Sequence, residues 1–340
     1  RQRQMCIRDR LRQIIGGAPK KIALLSHTNP DGDTIGAALA WRSYLERLGH
    51  TTCCIAPNRY PYFLEWMTDI GHIGVFKEDH DGAMARFIGE ADVIFCMDFN
   101  QINRLDRVTD TVTANTTAVR VLIDHHLHPP VDGYAVQFSD THACSTSYIV
   151  YQLLEALAGT DAIDQAMAES LYVGIMTDTG NFSFSSLTSD LFRAVAVLID
   201  KGVNVPYVNS SVYNNFSEGR MRLLGYMLND KMVTDYEFGV AYVSLTEEEM
   251  RRFDFIQGDS EGFVNYPLSI RGIRMSAMFI QTKHSIRVSL RSRGEVDVNV
   301  FARRYFDGGG HRNAAGGKSY VPMNETLENF RKYLREYFGA

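Results

Sequence analysis

The stretch Lys21–Gly49, KIALLSHTNPDGDTIGAALAWRSYLERLG, changes period part-way along. Lys21–His27 is a short apolar run of the kind that forms a buried strand. TNPDGD follows, a tight turn in which proline fixes one φ and glycine frees another. Beyond it Ile35, Leu39, Leu45 and Leu48 recur at helical spacing, and Gly49 stops the run. Strand, turn and helix in that order are the building unit of a parallel sheet. Asp92–Asp98 (DVIFCMD) and Ala118–Asp124 (AVRVLID) read as second and third strands. Helices are expected at Thr146–Ala158, Ile163–Met176 and Ser189–Lys201, the last stopped by Gly202. The fold expected over residues 15–202 is therefore α/β, a parallel sheet with helices on both faces. Ligands in such sheets sit at the carboxyl ends of the strands.

Farther along, the pattern shifts. Ser217–Met232 reads as a long helix inside a helical linker, 203–237. Strands at Gly239–Leu245, Met275–Gln281 and Ser285–Ser292 then follow closely, with helices near Asp297–Tyr305 and Glu325–Tyr337. That is a smaller mixed α/β domain over 238–340. Two domains also suit a chain of 340 residues, at about 150 residues each.

Composition bounds the function. A chain 45% hydrophobic and 22% charged has material for a sizeable core. No run approaches the roughly 20 apolar residues of a membrane span, so no membrane partner is expected. Arg1–Arg12 has no apolar centre and is not read as a secretory signal; residues 1–12 read as a non-native tail. RQRQMCIRDR holds four arginines and one aspartate, a net +3, so the rest of the chain carries −8 against the total of −5. Bulk charge thus argues against a protein that coats nucleic acid. Five cysteines without a C-x-x-C pair read as buried thiols of a cytoplasmic protein.

Each strand of the first domain ends in a metal-ligand residue type. The first ends in His27, and its turn carries Asp31 and Asp33. The second ends in Asp98, and the third runs into Asp124-His125-His126. Thr177-Asp178-Thr179 closes a helix. Singly, each has an ordinary reading: a surface turn, a polar loop, a helix end. Jointly they place carboxylates where desolvation is costly without a cation. Even four Asp and two His of these, with no thiolate, exceed a structural zinc site and suit two Mn²⁺ or Mg²⁺ ions sharing ligands.

His27-Thr28-Asn29-Pro30-Asp31-Gly32-Asp33, Asp98, Asp124-His125-His126 and Asp178 resemble the four motifs of the DHH phosphoesterase superfamily. The resemblance implies that His27, Asp31 and Asp98 hold one metal. Asp33, Asp98, His125 and Asp178 would hold the other, with Asp98 bridging. Asp98, His125 and His126 would be catalytic, His126 as a substrate-phosphate or protonation partner. Gly308-Gly309-Gly310-His311 resembles the GGGH signature of the DHHA1 domain, making Gly309, Gly310 and His311 substrate contacts. Small residues there let backbone amides approach an anion. From Arg271 to Lys318 ten Lys or Arg face three acids, which suits a phosphorylated substrate. Arg291 is the expected phosphate clamp, because the family pattern has an arginine there.

One DHH and one DHHA1 domain together look like the NrnA-type nanoRNase/pAp phosphatase group. That resemblance implies hydrolysis of very short RNA to mononucleotides and of 3'-phosphoadenosine 5'-phosphate to AMP. Two Mn²⁺ would be the cofactors, with Mg²⁺ or Co²⁺ as substitutes, and a homodimer is a further expectation. A pApA or cyclic-di-AMP phosphodiesterase has the same parts. A non-catalytic nucleotide-sensing module is the alternative of another class, and it should have lost a metal ligand; none is missing.

Overall fold

The computed structural model describes residues 2–184 and 187–339. It divides into two units, Arg1–Asn215 and Phe216–Ala340. In the first, strands β1 (Lys21–Leu25), β2 (Thr51–Ala56), β3 (Ile73–Val75), β4 (Val93–Met97), β5 (Val119–Asp124) and β6 (Val136–Ser139) form one all-parallel sheet in the order β3-β2-β1-β4-β5-β6. β1, β4 and β5 are the three strands read from the sequence, and β2, β3 and β6 extend the sheet outward.

Parallel strands are buried on both faces, and side chains alternate between them. Ala23 and Leu25 pack with Ile94, Cys96 and Leu122 under helices α3 (Ala83–Glu90) and α4 (Val108–Ala114), which follow α1 (Gln2–Ile15) and α2 (Gly32–Arg47) in the chain. Ile22 and Leu24 therefore point the other way, toward α2, which packs on β1, β2 and β4. Each fully buried aliphatic side chain of this kind contributes about 1.5–3 kcal/mol. Residues 1–12, set aside as a tail, lie largely within α1, and Leu11 and Ile15 of that helix are buried.

The sheet order fixes where a ligand can sit. β1 connects to β2 on one side, while β4 flanks β1 on the other, so sheet growth reverses between β1 and β4. Their carboxyl ends open a crevice at that switch point. Helices α5 (Thr146–Ala158) and α6 (Gln165–Asp178) pack with α2 along one side. The approach of α2 to α6 is close. A Cβ on Gly36 would lie 2.2 Å from the Ser170 carbonyl oxygen, and one on Gly174 would lie 1.9 Å from Ser147 Oγ. Glycine at those positions lets α2 and α5 both close on α6. Helices α7 (Ser189–Asp200) and α8 (Val205–Tyr213) complete the unit.

The segment 203–237 is shared between the units. α8 belongs to the first. Helix α9 (Glu218–Tyr226), continued by a π-helical turn at Met227–Lys231, belongs to the second, where Leu223, Leu224 and Met227 are buried. After β7 (Val233–Asp235), β8 (Val240–Leu245), α10 (Glu247–Arg251), β9 (Met275–Gln281) and β10 (Ile286–Ser292) come α11 (Val298–Tyr305), β11 (Gly309–His311), β12 (Ala314–Ser319) and α12 (Met323–Phe338). This second sheet is mixed, in the order β11-β12-β10-β9-β8-β7. Its β10 alternates fully, with Ile286, Val288 and Leu290 buried against Phe301 and Phe330 of α11 and α12.

Candidate metal centre

β1 ends at Leu25, and Ser26 extends its pairing by donating to the Ile55 carbonyl. His27 therefore emerges at the crevice. Its Nδ1 faces the Thr28 carbonyl oxygen at 2.9 Å, which leaves Nε2 directed inward. Asn29 has φ +56°, and reciprocal amide bonds with Asn58 hold it there: Asn29 N donates to Asn58 Oδ1 at 2.7 Å, and Asn58 Nδ2 donates to Asn29 Oδ1 at 3.2 Å. Asp31 caps α2, its Oδ1 accepting from the backbone N–H groups of Asp33 and Thr34. Its other oxygen lies 3.8 Å from His27 Nε2.

Asp33 is buried, and α5 grips both of its oxygens. Thr146 N donates to Oδ2 at 2.6 Å and Ser147 N donates to Oδ1 at 2.8 Å. These are first-turn N–H groups that an α-helix leaves unsatisfied, and they favour an anion. Asp98 follows β4 with φ +65°, a backbone state costly for a non-glycine residue and typical of functional sites. Thr146 Oγ1 donates to Asp98 Oδ1 at 2.9 Å. The two Asp98 oxygens face different histidines, Oδ2 to His27 Nε2 and Oδ1 to His125 Nε2, each at 3.4 Å.

His125 directs Nδ1 at the Ala143 carbonyl oxygen, 3.3 Å away. Its Nε2 meets Asp178 Oδ2 at 3.2 Å as well as Asp98 and, at 3.8 Å, Asp33. His126 Nδ1 lies 3.7 Å from Asp98 Oδ1 but nearer to a second carboxylate. Its Nδ1 lies 2.7 Å from Asp124 Oδ1, and Arg104 Nη1 lies 3.1 Å from its Nε2. Asp124 Oδ2 is buried without a hydrogen-bond partner among the described residues.

Opposing effects set the charges. Burial, with Asp98 and Asp178 nearby, raises the Asp33 carboxyl well above the usual carboxylate range. Burial also acts to raise Asp98, but the imidazoles of His125 and His27, with His126, hold it well below that range. For His125, burial acts to lower the imidazole, yet Asp178, Asp98 and Asp33 push it well above its ordinary value. Two like charges about 4–5 Å apart cost roughly 3–4 kcal/mol at an effective dielectric of 20. Such a cluster of acids is consistent with a cation's charge.

The donor set fits metal ions. His27, Asp31 and Asp98 offer atoms within 4.8 Å of one another, as do Asp33, His125 and Asp178. The donors are oxygen and imidazole nitrogen, with each histidine oriented through its second nitrogen. All six sequence-expected ligands thus fall in two triads, and Asp98 of the first also faces His125 of the second. Sequence reasoning missed the supporting residues Thr146, Ser147, Asn58 and Arg104. Each reaches the site from a distant part of the chain and carries no local pattern.

Of the expected substrate residues, His126 lies in the first unit, and Arg291, Gly309, Gly310 and His311 lie in the second. Arg291 pairs with Ala314 in β10–β12, and His311 pairs with the same Ala314 in β11–β12. Arg291 and His311 therefore share one face of the sheet, in one row. Gly310 has φ +152°, and its N–H donates to Asn299 Oδ1 at 2.9 Å. A Cβ on Gly308 or Gly310 would strike the carbonyl oxygen of Gly316 or Ala314, at 1.9 and 2.5 Å. Those two glycines are required by the close β11–β12 approach. Gly309 meets only ordinary contacts, at 3.4 Å and beyond.

Comparison with known proteins agrees with this geometry. The DHH family, N-terminal domain, matches residues 21–175, and the DHHA1 domain matches residues 236–340. The chain is 28% identical over 304 residues to the "Bifunctional oligoribonuclease and PAP phosphatase NrnA" of Bacillus subtilis, covering 88% of this chain and 89% of that one. It is 26% identical over 357 residues to the "Cyclic-di-AMP phosphodiesterase GdpP" of the same species, and spans about half of that protein's length, 51%. Among solved structures, an exopolyphosphatase-related protein from Bacteroides fragilis superposes with a TM-score of 0.91 at 37% identity, covering 98% of this chain and 96% of that one. The chain belongs to the DHH family of phosphoester hydrolases, with a DHHA1 domain after its DHH domain.

Proposed function

We propose that this protein hydrolyses very short RNA to mononucleotides and 3'-phosphoadenosine 5'-phosphate to AMP, using two Mn²⁺ ions for which Mg²⁺ or Co²⁺ can substitute. The observation that carries the reading is the Asp98 carboxylate, one oxygen toward His27 and the other toward His125. His27, Asp31 and Asp98 hold one ion in this reading, and Asp33, Asp98, His125 and Asp178 the other. Two divalent cations there, when bound, supply charge neutralisation and a water of lowered pKa.

The chain's own residues do the rest. Thr146 and Ser147 orient Asp33, and Thr146 also fixes Asp98. His126 holds its proton at Nδ1 against Asp124 while Nε2 accepts from Arg104, so its ring orientation is set from both sides. Arg291, Gly309, Gly310 and His311 bind substrate phosphate. The names of curated relatives, an oligoribonuclease and PAP phosphatase, support this substrate class. Among the described residues no helix is long and apolar enough to cross a membrane, and Cys54, Cys96 and Cys144 are buried thiols. A cytoplasmic homodimer belongs to the same proposal.

A cyclic-di-AMP or pApA phosphodiesterase is the second reading, favoured by the likeness to the GdpP protein. One panel separates them: short RNA, short DNA, 3'-phosphoadenosine 5'-phosphate, pApA, cyclic di-AMP and pyrophosphate, each with Mn²⁺. Release of mononucleotide from a two- to five-residue RNA is expected. Turnover confined to cyclic di-AMP or pApA overturns the first reading in favour of the second. No turnover of any member sinks both and leaves the sensing module.

A further inference from the structure

We propose that the second unit carries a further anion-binding row, Arg287 with Lys318, which takes an additional backbone phosphate of an oligonucleotide. The register places it. Arg291 pairs with Ala314, Ser289 with Gly316 and Arg287 with Lys318, while His311 pairs with Ala314 and Gly309 with Gly316. Directly paired residues point to the same side of a sheet. The opposite side is accounted for, since Ile286, Val288, Leu290 and Ala315 are buried in the core. On that face Ile280 and Met278 of β9, paired with Arg287 and Ser289, are buried in a second core cluster, and over the outer strands β10, β12 and β11 the rows read cationic, small, cationic.

Outward of Met278 the middle row, Ser289, Gly316 and Gly309, holds nothing larger than a hydroxymethyl group and makes a low floor. Two residues along a strand advance about 6.6–6.8 Å, so the outer rows lie about 13 Å apart. A ligand with anionic groups on both rows is longer than one nucleoside bisphosphate. The substrate class is a short single-stranded oligonucleotide, and this rests on the oligonucleotide reading above.

Two observations mark the Arg287–Lys318 pair. Like charges directly opposite on neighbouring strands are destabilising, and among the described residues no carboxylate comes within ion-pair distance of either. Arg287 is nevertheless held in place: its Nη2 donates to Ser260 Oγ at 2.8 Å, while Nε is buried with no hydrogen-bond partner among the described residues. A phosphate supplies the missing counter-charge. The competing account is that Lys318 guards an open edge against strand pairing, because β11 is too short to cover that end of β12.

Chain length distinguishes the two. Binding of fluorescein-labelled diuridylate and pentauridylate to the full chain is measured by polarisation in EDTA, beside turnover of the unlabelled RNAs with Mn²⁺. Lys318→Glu is expected to weaken pentamer binding about tenfold more than dimer binding. Lys318→Ala should reduce the salt slope for the pentamer by about 0.7, the share of one phosphate on a single strand. Lys332→Glu on α12 makes the same charge change away from this face and should leave the length ratio alone. Equal losses on both lengths, no loss on the pentamer, or the same ratio change in Lys332→Glu overturns the row. A wild type that binds by length yet cleaves neither RNA defeats the oligoribonuclease reading and leaves the row standing.

Discussion

The two sheets handle charge in opposite ways. In the first unit every strand runs the same direction, so β1, β4 and β5 deliver their carboxyl ends to one edge. His27, Asp98 and His125 meet there at a point. In the second unit β10, β12 and β11 alternate in direction, and charge is displayed across a face at the two-residue pitch of a strand. Parallel strands focus and antiparallel strands spread. Focused acids suit cations that do chemistry, and spread bases suit a polyanion that needs only to be gripped.

The hardest test of that contrast is Asp98→Asn against Arg291→Ala. Asp98 faces both histidines, so its loss should cost kcat/KM more than the about 10–100-fold typical of a supporting partner, on every substrate. In the proposed reading Arg291→Ala removes a grip. It should raise KM by about 10–100-fold, the worth of a charged hydrogen bond, and leave kcat in place. Steady-state kinetics read both. An Arg291→Ala enzyme whose kcat falls as far as that of Asp98→Asn breaks the division between chemistry and grip.

Glycines sharpen it next. Gly174 sits on α6 where α2 and α5 both meet it, and an added Cβ would lie 1.9 Å from Ser147 Oγ and 2.9 Å from Asp33 Oδ1. Gly174→Ala should destabilise the protein by about 1–3 kcal/mol, as overpacking does, and urea denaturation measures it. Gly309→Ala meets only ordinary contacts and should change stability by no more than about 0.5 kcal/mol. Equal losses would show that both units depend on backbone contact alike.

Much of the candidate centre was legible because its residues follow strands, lie in a turn or close a helix, where hydrophobic period and polar punctuation meet. His27, Asp31 and Asp98 lie together, as do Asp33, His125 and Asp178. The outer strands were not legible. Thr51–Ala56 is buried only over its second half, and Ile73–Val75 is three residues with a glycine at its centre. Their strand state comes from neighbours in the sheet, a tertiary effect that local propensity does not carry. The hold of Thr146 on Asp98 spans 48 residues and leaves no signature. Thr146→Val, which keeps the N–H donated to Asp33, should weaken Mn²⁺ binding about tenfold by calorimetry. An unchanged affinity would mean that the hydroxyl only packs.

The smallest expected effect lies where the second unit behaves like an ordinary domain. Glu249 closes a capping box on α10, accepting from Thr246 N and facing Lys231 Nζ and Tyr226 Oη. Partial burial acts to raise its carboxyl, but Lys231, the Thr246 N–H and Tyr226 hold it down at about 2. An unfolded glutamate titrates near 4.3. Folding therefore gains from this ionised group above that value, and the gain is lost as pH falls through about 2. Glu249→Gln should cost about 0.5–1 kcal/mol at neutral pH, the scale of a partly screened pair. The gap between the two proteins should close between pH 4 and 2 in urea titrations. A gap that persists at the acid end assigns the effect to the cap's hydrogen bonds, which an amide can also accept, and removes charge from the account of this corner.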